Sequence, residues 1–115
     1  MLNQIKTPSE IEAMRRAGKI LAHGLRIMSN AAQPGVSTKH LSDLAAGHIA
    51  ANQAEPAFLN YPGSAGAPPY PEVACVSVND AVVHGIPARE VILKNGDIVS
   101  LDLGVKVEGM IVDGA

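Results

Sequence analysis

From Asp97 to Asp113 the chain reads Asp-Ile-Val-Ser-Leu-Asp-Leu-Gly-Val-Lys-Val-Glu-Gly-Met-Ile-Val-Asp. Taken in steps of two, Val99, Leu101, Leu103, Val105 and Val107 fall on one side, and Ile98, Ser100, Asp102, Gly104 and Lys106 on the other. That alternation is the period of a β-strand with one apolar face. Glu108-Gly109 supplies a turn, and Met110 to Val112 reads as the returning strand. A long antiparallel hairpin with one face to be buried is therefore the feature around which the remaining residues must fold.

The hairpin carries two acids, and its register decides how they meet. A loop of Val107 and Glu108 sets Asp102 directly opposite Asp113, whereas a loop of Glu108 and Gly109 sets Asp113 opposite Gly104. Both registers leave the two carboxylates on one face, within direct or diagonal cross-strand reach. Like charges so placed repel, and a cation between them reverses the sign; a pair of divalent metals does so most effectively. The alternative is that Asp113 is a solvated turn residue.

Something must cover the apolar face, and the first half of the chain offers two helices. Thr7-Pro8-Ser9-Glu10 has a capping threonine, a proline at the first helical position and a glutamate placed for a capping box. Ile11, Met14, Gly18, Leu21, Leu25 and Met28 follow at steps of three and four, which predicts a helix over 8–30 with that stripe inward. Pro34-Gly35 breaks it. Ser37 or Thr38 then caps a second helix, with Leu41, Leu44, Ala45, His48 and Ile49 as its buried stripe and an end near Asn52. His23, His40 and His48 have no partner at ligand spacing and read as structural or surface residues.

Tyr61 to Pro71 holds too many prolines and glycines for helix or strand, and reads as a surface loop that rims a cleft. Val73 to Val78 is a strand, bent at Asn79-Asp80, after which Ala81 to Val83 continues extended to His84-Gly85-Ile86-Pro87. His84 stands at that strand end, where a neutral imidazole can donate to or accept from a ligand, or serve only in structure. Lys94 to Asp97 is the turn that launches the hairpin.

At 115 residues, 47% apolar and a formal charge of -2, the chain reads as one globular domain. It has no basic cluster and only Phe58, Tyr61 and Tyr70 as aromatics, which argues against a nucleic-acid partner. The single cysteine, Cys75, points to a reducing compartment, and no apolar run approaches membrane-spanning length. The expectation is a soluble, cytoplasmic protein without a signal peptide.

Together, His84-Gly85-Ile86-Pro87, Asn95-Gly96-Asp97-Ile98-Val99 and the Asp102/Asp113 pair resemble the type I methionine aminopeptidases. The resemblance runs from Ile5-Lys6-Thr7-Pro8 through Pro34-Gly35-Val36-Ser37-Thr38 and Cys75-Val76-Ser77-Val78-Asn79 to the last residue. The separation of the aspartates, 113 − 102 = 11, matches the family pattern. The proline-directed peptidases of the same fold share the two-aspartate hairpin, but not the His-Gly-Ile-Pro turn in this context.

The resemblance implies an α+β fold: half of a "pita bread", two N-terminal helices packed on a mainly antiparallel sheet. It implies metal-dependent removal of N-terminal methionine from nascent polypeptides, with two divalent ions (Co, Mn, Fe or Zn). Asp102 is then a ligand to one ion and Asp113 bridges both. His84 faces the substrate without being a ligand, and Phe58, Tyr61, Tyr70 and Cys75 line the methionine pocket. The implied partners are a peptide with N-terminal methionine and the ribosome, with no membrane.

Residues 1–115 are then expected to be the N-terminal portion of a single catalytic domain, cut after the second aspartate. The family's further His ligand, two Glu ligands and second substrate-facing His have no matching position, so this chain alone is expected to be inactive. The 61–70 loop is also longer than the family pattern. Three other readings stay open: a half-domain that self-associates, a non-catalytic binding module, and a proline-directed peptidase.

Overall fold

The computed structural model describes residues 5–115; Met1–Gln4, which the expected domain includes, lie outside them. Helix α1 spans Pro8–Ala31 and opens on a complete capping box. The Glu10 N–H donates to Thr7 Oγ1 at 3.2 Å, and the Thr7 N–H donates to Glu10 Oε1 at 2.8 Å. Helix α2 spans Thr38–Ala51, with Ser37 as its cap.

The predicted stripe of α1 holds at Leu21 and Met28, with Leu25 packed at the core's margin, and misses at its N-terminal end. The buried residues are Ala13, Ala17, Leu21, Gly24 and Met28, while Ile11 is exposed and Met14 and Gly18 are only partly covered. The cause is close packing: a Cβ on Gly24 would stand 2.8 Å from Leu103 Cδ2, so small residues rather than bulky ones mark the side that meets the sheet. In α2 the expected Leu41, Ala45 and Ile49 are buried together with Thr38 and Ser42, while Leu44 and His48 are half-buried.

Four strands form the sheet, all pairs antiparallel: β1 (Glu55–Pro56), β2 (Ala74–Val78), β3 (Val99–Val107) and β4 (Met110–Gly114). Leu103 pairs with both Ala74 and Gly114, and Lys106 with both Glu55 and Ile111. β1 and β2 therefore share one edge of β3, and β4 takes the other. The two-residue β1 was not foreseen from the sequence.

The apolar side of β3 is the core. Leu103 and Val105 are fully buried, and Val99, Leu101 and Val107 pack at the margin of a cluster that includes Leu21, Met28, Leu41 and Ile49. Val107 pairs with Met110, so the loop is Glu108-Gly109, the second of the two expected registers. Both loop residues have positive φ (49° and 79°), the signature of a tight I′-type hairpin turn.

Candidate functional site

Register places the acids. Asp102 pairs with Cys75 across β2/β3, and Gly104 pairs with Asp113 across β3/β4, so the two carboxylates are diagonal neighbours on the face away from the helices. The start of β3 is held by a side-chain lock. Asn79 Nδ2 donates to Asp97 Oδ1 at 3.0 Å, the Ile98 N–H donates to Asn79 Oδ1 at 2.9 Å, and the Asn79 N–H donates to the Ile98 carbonyl at 2.8 Å. A slip of one residue would break all three bonds and turn Asp102 to the other face.

All seven residues singled out from the sequence line one open cavity of about 690 Å³: Phe58, Tyr61, Tyr70, Cys75, His84, Asp102 and Asp113. Asp113 lies within β4 and is solvent-facing, not in a turn. The pocket also takes in Pro62, Gly63, Ser64, Pro68 and Ile86, which the sequence reading had not assigned individually. The first four belong to the expected cleft-rimming loop, and Ile86 lies inside the His-Gly-Ile-Pro stretch. That loop is closed at its base, where the Asn60 N–H donates to the Tyr70 carbonyl (2.8 Å) and the Tyr70 N–H to the Tyr61 carbonyl (2.9 Å).

His84 departs from expectation. Residues 81–83 do not continue a strand, and His84 sits in a loop with φ of 56°. A left-handed conformation costs a non-glycine residue on the order of 1–3 kcal/mol and persists only where the surroundings enforce it. The grip comes from Gly85: its N–H donates to Ser77 Oγ (2.9 Å), and its carbonyl accepts from the Val76 N–H (2.9 Å).

The electrostatics of the pocket are set by two neighbouring acids that His84 offsets only in part. The Asp102 carboxyl lies above the ordinary carboxylate range, first through burial, then through the neighbouring Asp113 carboxyl and its charge; His84 offsets part of this. Burial pushes the Cys75 thiol up; Tyr70 opposes this, and the two aspartates add to it. The Tyr70 phenol is raised as well, chiefly by burial and then by the neighbouring Cys75 thiol, while its O–H donates to the Ala74 carbonyl at 3.0 Å. Thiol and phenol are therefore neutral at pH 7, and charge in the pocket sits on the carboxylates.

A divalent cation fits that donor set: hard oxygens share one face, and the Asp113 charge raises the cost of ionising Asp102. Among the described residues no group of three or more His, Cys, Asp or Glu side chains is arranged to hold a metal ion, so the pair is the whole carboxylate contribution. The remaining histidines lie elsewhere. His48 Nε2 bonds the Ile20 carbonyl at 2.9 Å, His23 stacks edge-on against it at 6.2 Å between centroids, and His40 is exposed.

Two helices on an antiparallel sheet of this arrangement are a fold shared with solved aminopeptidases. An X-Pro aminopeptidase from Thermotoga maritima matches 95% of this chain and 27% of its own length with a TM-score of 0.72 at 18% identity, a likeness of fold alone. The methionine aminopeptidase of the same organism superposes with a TM-score of 0.89 at 40% identity, over 97% of this chain and 43% of its own. The profile of metallopeptidase family M24 matches residues 12–115, and the chain belongs to that family. The methionine aminopeptidase of Helicobacter pylori is 40% identical over all 115 residues.

The expected fold class, half of a pita-bread domain, is thus the observed one. The chain spans about 43% of the length of the curated relative. Membership of a metallopeptidase family implies use of a divalent metal. No helix among the described residues is long and apolar enough to cross a membrane.

Proposed function

We propose that this chain supplies the two-carboxylate wall of a metal-dependent site that removes the N-terminal methionine from peptides. The observation that carries the reading is the convergence of Asp102, Asp113 and His84 with Phe58, Tyr61, Tyr70 and Cys75 on one cavity. In this reading Asp102 and Asp113 would be this chain's ligands to two divalent ions (Co, Mn, Fe or Zn), and Asp113 would serve both. When bound, such ions polarise a peptide carbonyl and acidify water at neutral pH. Ion binding also relieves the mutual repulsion of the carboxylates.

The protein's own groups do the rest. Phe58, Tyr61, Tyr70 and Cys75 enclose an apolar side chain of methionine size, which needs no polar partner. His84 lies on the same cavity, where its imidazole can bond the substrate near the scissile bond. The raised thiol and phenol keep further negative charge out of the pocket.

The chain is on this account the N-terminal portion of one catalytic domain. The other ligands implied by the resemblance, a histidine and two glutamates, have no counterpart in it. Nascent chains at the ribosome are the substrates proposed, the cytoplasm is the compartment, and a second copy of this chain is a further proposed partner. The test is calorimetric titration of Mn²⁺, paired with hydrolysis of a Met-Ala-Ser peptide by this chain and by a longer polypeptide that contains it. Weak Mn²⁺ binding to the chain, lost in Asp113→Asn, with hydrolysis in the longer polypeptide, supports the reading. Unchanged binding in Asp113→Asn overturns it.

A further inference from the structure

Within the stretch from Cys75 to Asn79 each residue but one serves the pocket wall, the core or the lock at the start of β3. Cys75 lines the pocket, Val76 and Val78 pack in the helix-facing core, and Asn79 closes on Asp97. Ser77 does none of these. It is 4% exposed, and its Oγ accepts the Gly85 N–H at 2.9 Å. A buried hydroxyl is unfavourable unless it is bonded, so its only return in this position is the bond it makes.

That bond acts on His84. The left-handed turn at His84 rotates the next N–H out of ladder geometry, and Ser77 rather than a strand carbonyl accepts it. The Gly85 carbonyl still takes the Val76 N–H, so the peptides on either side of Gly85 are both tied to β2. The approach is close enough that a Cβ on Gly85 would collide with the Val76 carbonyl and with Ser77 Cα. Farther along, Thr38 Oγ1 accepts the Ala88 N–H at 2.9 Å, which fixes the other end of the loop to α2. His84 immediately precedes the first of these anchors, so the bonds at Gly85 set the backbone that carries the exposed His84 side chain.

We infer that Ser77 is a positioning residue: through the Gly85 N–H it holds His84 toward Asp102 and Asp113. The inference rests on the proposed function, in which His84 meets the substrate. It is tested with Ser77→Ala, Ser77→Cys and Ser77→Thr by amide hydrogen exchange, NMR of the His84 ring, and peptidase kinetics with added Mn²⁺ in the longer polypeptide.

In Ser77→Ala the Gly85 amide exchanges at least about tenfold faster while Leu103 stays protected, and the His84 ring samples more than one rotamer. The kcat falls about ten- to a hundredfold with KM within about twofold. Ser77→Thr keeps the acceptor and restores each readout. Ser77→Cys matches serine in shape but accepts poorly, and gives the same direction of change if the alanine variant does not fold. Gly85 exchange unchanged in both variants overturns the inference, and so does lost protection with unchanged kcat. If the unmodified protein hydrolyses no peptide, the proposed function fails; an ordered His84 in Ser77→Ala then rejects the role of Ser77 on its own.

Discussion

The face of β3 turned to the helices and the face turned to the pocket come from the same nine residues and follow opposite rules. Leu103 and Val105 on the helix side are fully buried within one continuous apolar cluster. At the alternate positions, Ser100 and Lys106 keep contact with solvent, and Asp102 is half-buried beside a second acid that His84 offsets only in part. The first face stabilises the fold. The second retains repulsion that an evolved scaffold would discard unless a ligand used it, which is why the carboxylate pair, and not the core, points to function.

The largest effect separating the faces comes from Leu103→Ala, which opens a cavity under α1 and costs about 2–5 kcal/mol. Urea denaturation measures it, and ion affinity of the folded fraction stays the same. Asp113→Asn does the reverse. It lowers divalent-ion affinity by on the order of a hundredfold, about 2.7 kcal/mol, and leaves unfolding without metal unchanged or slightly harder. Equal losses of stability in both variants would erase the distinction between the faces.

Gly104→Ala probes the boundary. A Cβ there would stand 2.7 Å from Phe58 Cε1 and 3.0 Å from Ala57 Cβ. The substitution costs about 1–3 kcal/mol by overpacking and shifts Phe58 at the cavity wall, so binding of a methionine-like ligand weakens together with stability. Stability lost with ligand binding intact would detach Phe58 from the pocket.

The smallest effect is on pH dependence. Asp102 has a raised folded-state pKa, so between its unfolded and folded values the native state holds more protons and stability falls as pH rises. Asp97, held low by Asn79 and the Lys94 N–H, works the other way: its stability is present above the ordinary carboxylate range and is lost as pH falls. Metal-free Asp102→Asn therefore removes the falling component and leaves the rising one, seen as a steeper gain in Tm from acid toward neutral pH. An unchanged profile would mean that Asp102 is not perturbed.

How legible each face was in the chain depends on what sets it. Alternation at 98–107 identifies the hairpin and its inward side without any structure, and both possible registers keep the acids together. Only the left-handed pair Glu108-Gly109 chooses between them. Leu21 and Met28 of α1 were legible, but the rest of its buried side was not, because a search for bulky residues passes over Ala13, Ala17 and Gly24. Nor was the loop geometry of His84, since a non-glycine residue at φ of 56° has no compositional mark and is imposed by contacts from Val76 and Ser77. β1 escaped for a similar reason: two residues at an edge, one of them proline, carry no periodicity.

Anomalous diffraction from crystals of this chain soaked in Mn²⁺ tests most directly whether the two acids of the hairpin form one ion site. The account predicts a peak within ligand distance of carboxylate oxygens from both Asp102 and Asp113, absent from Asp113→Asn crystals. A peak held elsewhere, or one that persists unchanged without the Asp113 carboxylate, would contradict it.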